Sequence, residues 1–282
     1  MNKRIALVTC SKYPRLTESD RLLAGALKTL GVHAVATDWR DSGTRWGEFD
    51  LAVLRSTWDY HLHPEEFSGW LDLAATATRL LNPLALVRWN MNKRYLVELA
   101  ARGVPTLPSI VVAPGDSRPP DLGRDRACSE IVVKPLIGAS AWQISRIRSV
   151  DWESALTPEL RRNGCLIQPY APEIAAGEYS IVFFGGVFSH AVLKKPKAGD
   201  FRTQPELGAT HTLISPKPSL IADAAAVLDV LPQASIYARI DGIVRDNRLL
   251  LMEAELIEPD LYFEFQSATA STFGKLLLAS AR

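Results

Sequence analysis

RIDGIVRDNRLLLMEAELIEP, from Arg239 to Pro259, is apolar enough for burial, yet it carries Arg239, Asp241, Glu253 and Glu255. Two apolar runs flank Asp246, Asn247 and Arg248, a loop of three residues and a common hairpin length. That loop pairs Arg245 with Leu249, Ile243 with Leu251, Asp241 with Glu253 and Arg239 with Glu255. Side chains alternate along a strand, so the four charged residues share one face. Ile240, Val244, Leu250, Met252 and Leu256 make the opposite, core-like face. Opposed partners have Cβ atoms about 4.5–5.5 Å apart, so Asp241 and Glu253 repel across the ladder. A divalent cation with oxygen ligands relieves that repulsion. A solvent-facing surface balanced by Arg239 and outlying lysines relieves it as well.

Two lysines upstream bear on the choice. Lys134 ends the apolar strand EIVVKPL and precedes Gly138, Ala139 and Ser140. An ammonium at the end of a buried strand is costly without an anion beside it. Small residues let backbone N–H groups approach phosphate oxygens. Asn90 is expected to cap a helix over MNKRYLVELAARGV, with Lys93 in its first turn, where a cation opposes the helix dipole and a bound anion reverses the penalty. No GxxxxGK[ST] loop and no GxGxxG fingerprint occurs. That argues against a P-loop kinase or a dinucleotide dehydrogenase.

Upstream again the pattern changes. RIALVTC reads as a strand buried on both faces, and TESDRLLAGALKTLGV as a helix capped at Thr17 and stopped at Gly31. HAVATDW and DLAVLRST are further strands, and PEEFSGWLDLAATAT is a helix with Pro64 in its first turn. This alternation predicts a small parallel sheet whose ligands gather at the carboxyl ends of its strands, where Arg55, Ser56 and Thr57 stand. LLNPLALVRWN reads as a crossing into a new unit. Residues 113–130 read as a polar loop. From Glu130 onward adjacent hairpins predict antiparallel sheets.

The bulk numbers fit a multi-unit globular protein: 282 residues, 47% hydrophobic, net charge +1. Nothing in the charge balance points to nucleic acid or a membrane surface. Cys10, Cys128 and Cys165 are too scattered for a disulfide framework or a zinc pair, which suits a reduced, cytoplasmic chain. HLHPEEF reads as a surface loop rather than a metal cluster. Trp39, Trp46 and Trp70 read as packing residues, with Trp58 the best candidate for substrate contact because it follows a strand end.

Taken in order, Lys93, VVKP with Lys134, the small-residue loop, LIQPYAPEIAAGEYS, ARIDG and LLMEAEL resemble the ATP-grasp superfamily, which includes D-alanine–D-alanine ligase and glutathione synthetase. LRSTWDY, GDFR and ELIEP bring the chain nearest to small bacterial enzymes such as the D-cycloserine-forming cyclo-ligases, some of them in antibiotic biosynthesis. The resemblance covers nearly the whole chain. It implies an α/β fold that becomes α+β in the C-terminal half. The units would be an N-terminal parallel domain over 1–86 and two ATP-grasp subdomains over 87–170 and 171–282, with ATP between antiparallel sheets.

It also implies site roles. Lys93 and Lys134 would bind the phosphates of ATP, with Gly138, Ala139 and Ser140 closing over them. Gln168, Pro169 and Tyr170 would form the adenine hinge, and Glu178 would meet the ribose. Asp241, Glu253 and Glu255 would hold Mg²⁺. Arg239 would steady the transferring phosphoryl group, and Lys194, Lys195 and Arg202 would meet phosphate or substrate. Arg55, Ser56 and Thr57 would contact a small amino-acid-like substrate. The activity implied is ATP-dependent C–N ligation, giving an amide or a ring. A nucleotide-binding module without that chemistry, or a small-molecule kinase on the same site, is the alternative. Relatives usually carry Asn where Glu255 stands, and a longer glycine-rich loop. A homodimer is common among such enzymes.

Overall fold

The computed structural model describes residues 3–116 and 129–281. Cys128 and most of the polar loop expected over 113–130 lie outside the described residues.

The first part folds as its patterning predicts. β1 (Arg4–Thr9), α1 (Glu18–Thr29), β2 (His33–Asp38), β3 (Leu51–Ser56), α2 (Pro64–Ala77) and β4 (Leu80–Leu81) build a parallel sheet in the order β2-β1-β3-β4. β1 and β3 lie at its centre, which is why their apolar runs are continuous rather than alternating. The Thr17 hydroxyl caps α1 by accepting from the Asp20 N–H at 3.1 Å.

Residues 80–91 depart from the expected crossing. β4 completes the sheet and α3 (Leu84–Met91) follows at once. Asn90 therefore lies inside α3 and caps nothing. Its amide donates to the Ala254 carbonyl at 2.7 Å and accepts from the Leu256 N–H at 3.0 Å. Lys93 sits in the turn before α4 (Tyr95–Ala101), not in a helix.

β5 (Ile110–Val112), β6 (Glu130–Pro135), β7 (Ser145–Arg148), α5 (Pro158–Asn163) and β8 (Cys165–Pro169) give an antiparallel sheet ordered β5-β8-β6-β7. β9 (Glu178–Phe184), β10 (Val187–Lys195), β11 (Thr210–Ile214), α6 (Pro218–Asp229), β12 (Tyr237–Arg245) and β13 (Arg248–Glu255) give a second, ordered β11-β10-β9-β12-β13. α7 (Ala268–Ser280) returns to pack on α1. One apolar cluster joins Ile5 and Leu7 of the first sheet to Val182 and Tyr237 of the last and to Phe273 of α7. No helix among the described residues is long and apolar enough to cross a membrane.

The β12–β13 hairpin reaches its predicted register by a different route. Arg239 faces Glu255 and Asp241 faces Glu253, as expected. The turn, however, holds two residues rather than three, Asp246 and Asn247, at φ 51° and 59°. Two left-handed residues match the twist of paired strands, and Asp and Asn tolerate that conformation. A bulge at Met252 then restores the offset. It also corrects the predicted core face. Leu249 and Leu251 pack with Ile240 and Leu256, whereas Leu250 and Met252 pack on the opposite side with Ile243 and Leu107. Met252 and Glu253 thus face the same way.

Candidate active site

Between the two antiparallel sheets, and against the carboxyl ends of β1 and β3, lies a cavity of about 700 Å³. Its floor is the charged face of β12 and β13. The Lys93 ammonium lies 2.9 Å from Glu253 Oε1, and that of Lys134 lies 3.8 Å from the same oxygen. Lys194 bridges Glu178 Oε2 and Asp241 Oδ2, at 2.9 Å each. Arg239 donates to both oxygens of Asp241, at 3.0 and 3.2 Å, and to Glu255. Ser180 Oγ donates to Asp241 Oδ1 at 2.7 Å. The repulsion expected between Asp241 and Glu253 is thus relieved by four cations. Among the described residues no three Asp, Glu, His or Cys side chains are gathered closely enough to hold a metal ion as they stand.

The electrostatics follow from these distances. Burial opposes the charged form of Glu253, but Lys93 and Lys134 override it and hold the carboxyl down at about 2. Burial likewise opposes Asp241, and Arg239 and Lys194 hold it well below the usual carboxylate range. Lys93, in full contact with Glu253, is raised despite its burial. Lys134 is lowered by burial, because its contact with Glu253 is longer and Lys93 repels it. Glu255 is pushed up to about 7 by burial, which Arg239 only partly offsets. Glu258, buried at the same end, is pushed up to about 8 by burial and by Glu255.

Most residues singled out in the sequence come together here. Lys93, Lys134, Gly138, Ala139, Ser140, Gln168, Pro169, Tyr170, Glu178, Lys194, Arg202, Arg239, Asp241, Glu253 and Glu255 all line the cavity. Gln168 Nε2 donates to Ser109 Oγ at 2.9 Å, while Gln168 Oε1 is buried with no partner. Met252, Leu107, Phe201 and Ile174 make that end apolar. Arg202 forms a fork with Asp200. Ser140 and Ala141 adopt left-handed backbone, φ 51° and 56°, where the loop bends over the cavity.

Five residues depart from expectation. Lys195 is exposed, because neighbours on β10 alternate and Lys194 takes the inward side. Arg55 is 1% exposed, and its guanidinium is spent on Asp20 Oδ1 and the Pro259 carbonyl, 2.8 Å each. Ser56 bonds Thr9 Oγ1 at 2.9 Å, and Thr57 is fully buried, so this trio supports the wall without facing the cavity. The residues that do face it are the next ones, Trp58 to Leu62. His61 is accordingly no surface residue: its ring lies 5.1 Å from that of Trp142 in the small-residue loop. Trp58 lines the cavity as anticipated, while Trp39, Trp46 and Trp70 pack in the core. Glu258 and Tyr262 were missed, although ELIEP placed a glutamate in an apolar run just past Glu255.

Comparison with known proteins identifies relatives of the whole chain. The N-terminal domain family of D-cycloserine synthetase DcsG matches residues 5–82. The cycloserine biosynthesis protein DcsG of Streptomyces lavendulae is 33% identical over 276 residues, spanning 90% of this chain and 91% of that protein. The crystal structure of D-cycloserine synthetase DcsG superposes with a TM-score of 0.89 at 29% identity, covering 99% of this chain and all of that one (100%). D-alanine–D-alanine ligase from Bacillus anthracis complexed with ATP shares the fold, with a TM-score of 0.65 at 17% identity over 98% of this chain and 94% of that one.

Proposed function

This chain belongs to the ATP-grasp ligases, beside the D-cycloserine synthetase DcsG, and from that premise we propose how its cavity works and what it takes. The enzyme is an ATP- and Mg²⁺-dependent ligase that activates a carboxylate by phosphorylation and forms a C–N bond. Its acceptor is a small amino-acid-like molecule rather than a peptide, since a cavity of about 700 Å³ that must also hold ATP is of small-molecule size. The observation that carries the reading is the set of four cations laid on three carboxylates across the β12–β13 ladder.

The residues fit the nucleotide. Buried, unpartnered Gln168 Oε1 at the apolar end suits an exocyclic amine of adenine. Asp241, Glu253 and Glu255 offer the hard oxygens that would hold Mg²⁺, whose contribution when bound is to neutralise the phosphate oxygens. Lys93, Lys134 and Lys194, now paired with those acids, are free to turn to the triphosphate when it arrives. Arg239 stays beside Asp241 and steadies the phosphoryl group in transit. The loop at Gly138–Ser140 excludes water from the activated acyl group. The amine then displaces phosphate at the acyl carbon, and no side-chain nucleophile is required.

Phosphate release with a pool of amino acids and ureido amino acids, beside a Glu253→Gln control, tests this. Release stimulated by one pool and lost in a folded Glu253→Gln variant is the expected result. Undiminished turnover in that variant removes Glu253 from its assigned role.

A further inference from the structure

Glu258 stands apart from the paired acids. It is 9% exposed and lines the cavity, yet no ion pair and no hydrogen bond from another residue reaches its carboxyl among the described residues. A buried carboxylate without a cation is strongly disfavoured. Its backbone is nevertheless held firmly. Trp58 Nε1 donates to the Glu258 carbonyl at 2.9 Å, and Arg55 Nη2 donates to the next carbonyl, that of Pro259, at 2.8 Å. Arg55 is itself anchored by Asp20. Two contacts from the first unit, one of them buttressed by Asp20, therefore fix the backbone that carries a side chain with no ion-pair partner of its own. Trp58 bonds its backbone and Tyr60 lies within reach of its charge, while Lys93 and Arg239 act on it from beyond ion-pair distance and Glu255 opposes them. A buried carboxylate beside two aromatic rings and without a direct ion pair suits an organic ammonium, which brings both a charge and apolar surface.

We infer that Glu258 binds a protonated primary amine on the acceptor substrate, next to the carboxylate that is activated, and that it sets the preference for amino acids over acids without the amine. Arg55 is a positioning residue for it, which accounts for a buried arginine at a strand end that touches no part of the cavity. The inference rests on the ligase reading above and names the part of the substrate that Glu258 selects.

The test uses the full chain saturated with Mg²⁺ and the non-hydrolysable analogue AMPPNP. D-alanine, D-serine and D-cycloserine are titrated by calorimetry, beside propionate, 3-hydroxypropionate and isoxazolidin-3-one, which lack the amine. The expected result is binding of at least one amine-bearing probe about 30-fold or more tighter than its amine-free partner. In Glu258→Gln that preference shrinks to within about threefold, AMPPNP affinity is unchanged, and Glu258→Asp restores part of the preference. A preference that survives in Glu258→Gln overturns the inference and leaves the ligase reading intact, as does its absence from the loaded wild type. Failure of the wild type to bind AMPPNP overturns both.

Discussion

Lys93 and Glu253, one in the turn before α4 and the other on β13, meet at 2.9 Å inside the cavity. Each favours the charged form of the other. Removing one partner strands the other in a buried site, at a cost of about 3–5 kcal/mol for a fully buried pair. Lys134, 3.8 Å from the same oxygen, softens that cost for Glu253. Lys93→Met and Glu253→Gln are each expected to lower the urea midpoint, and the double variant to lose less than the two losses summed. Strict additivity in such a cycle removes the pairing from the stability of the fold.

The bulge at Met252 leaves a stability signature at Gly242. A Cβ at Gly242 would lie 2.7 Å from the Leu250 carbonyl oxygen and 2.9 Å from two side-chain carbons of Leu249. Gly242→Ala is therefore expected to destabilise by about 1–3 kcal/mol. Thermal unfolding checks it, and an unchanged midpoint means that the hairpin is not packed as described.

The His61–Trp142 contact ties the loop over the cavity to the first unit. Trp142→Ala is expected to loosen that loop. It should raise the KM for ATP severalfold while the thermal midpoint stays within about 2 °C, since the residue is only half-buried and outside the main cores. Steady-state kinetics decide it: a KM for ATP that does not move separates the loop from nucleotide binding.

Glu258 makes stability depend on pH. Burial and Glu255 hold its carboxyl up at about 8, whereas an unfolded glutamate ionises near about 4.3. Between those values the folded chain keeps a proton that the unfolded chain has lost. Stability from this group is thus full below the unfolded value and falls as pH rises through the folded one. Glu258→Gln removes the fall. Its midpoint relative to wild type is expected to be higher at pH 8.5 than at pH 5, by about 2–4 °C for each kcal/mol recovered. A difference that does not change with pH contradicts the burial of an uncompensated acid.

The parts of this molecule that were legible in the sequence are those set by periodicity. Continuous apolar runs gave the central strands of the first sheet, and alternation put Arg239, Asp241, Glu253 and Glu255 on one face. What escaped was set by contacts between distant segments. Asn90 has a cap-forming side chain, but it serves β13 instead. Arg55 looks like a ligand for an anion, but Asp20 and Pro259 claim it. The hairpin turn was one residue shorter than expected, and a bulge compensated. The two departures cancelled at the charged end, so the register of the acids was right while the facing of Leu250 and Met252 was not.

The central claim is that a substrate carboxylate is phosphorylated before the C–N bond forms. An acceptor that stimulates turnover, carrying ¹⁸O in its carboxylate, tests this most directly. The phosphoryl group takes one carboxylate oxygen, and that oxygen leaves with phosphate when the amine attacks. One ¹⁸O per phosphate released, together with an amide or ring product of matching mass, is the result expected. Unlabelled phosphate, or a stable phosphorylated acceptor with no C–N bond formed, would contradict it.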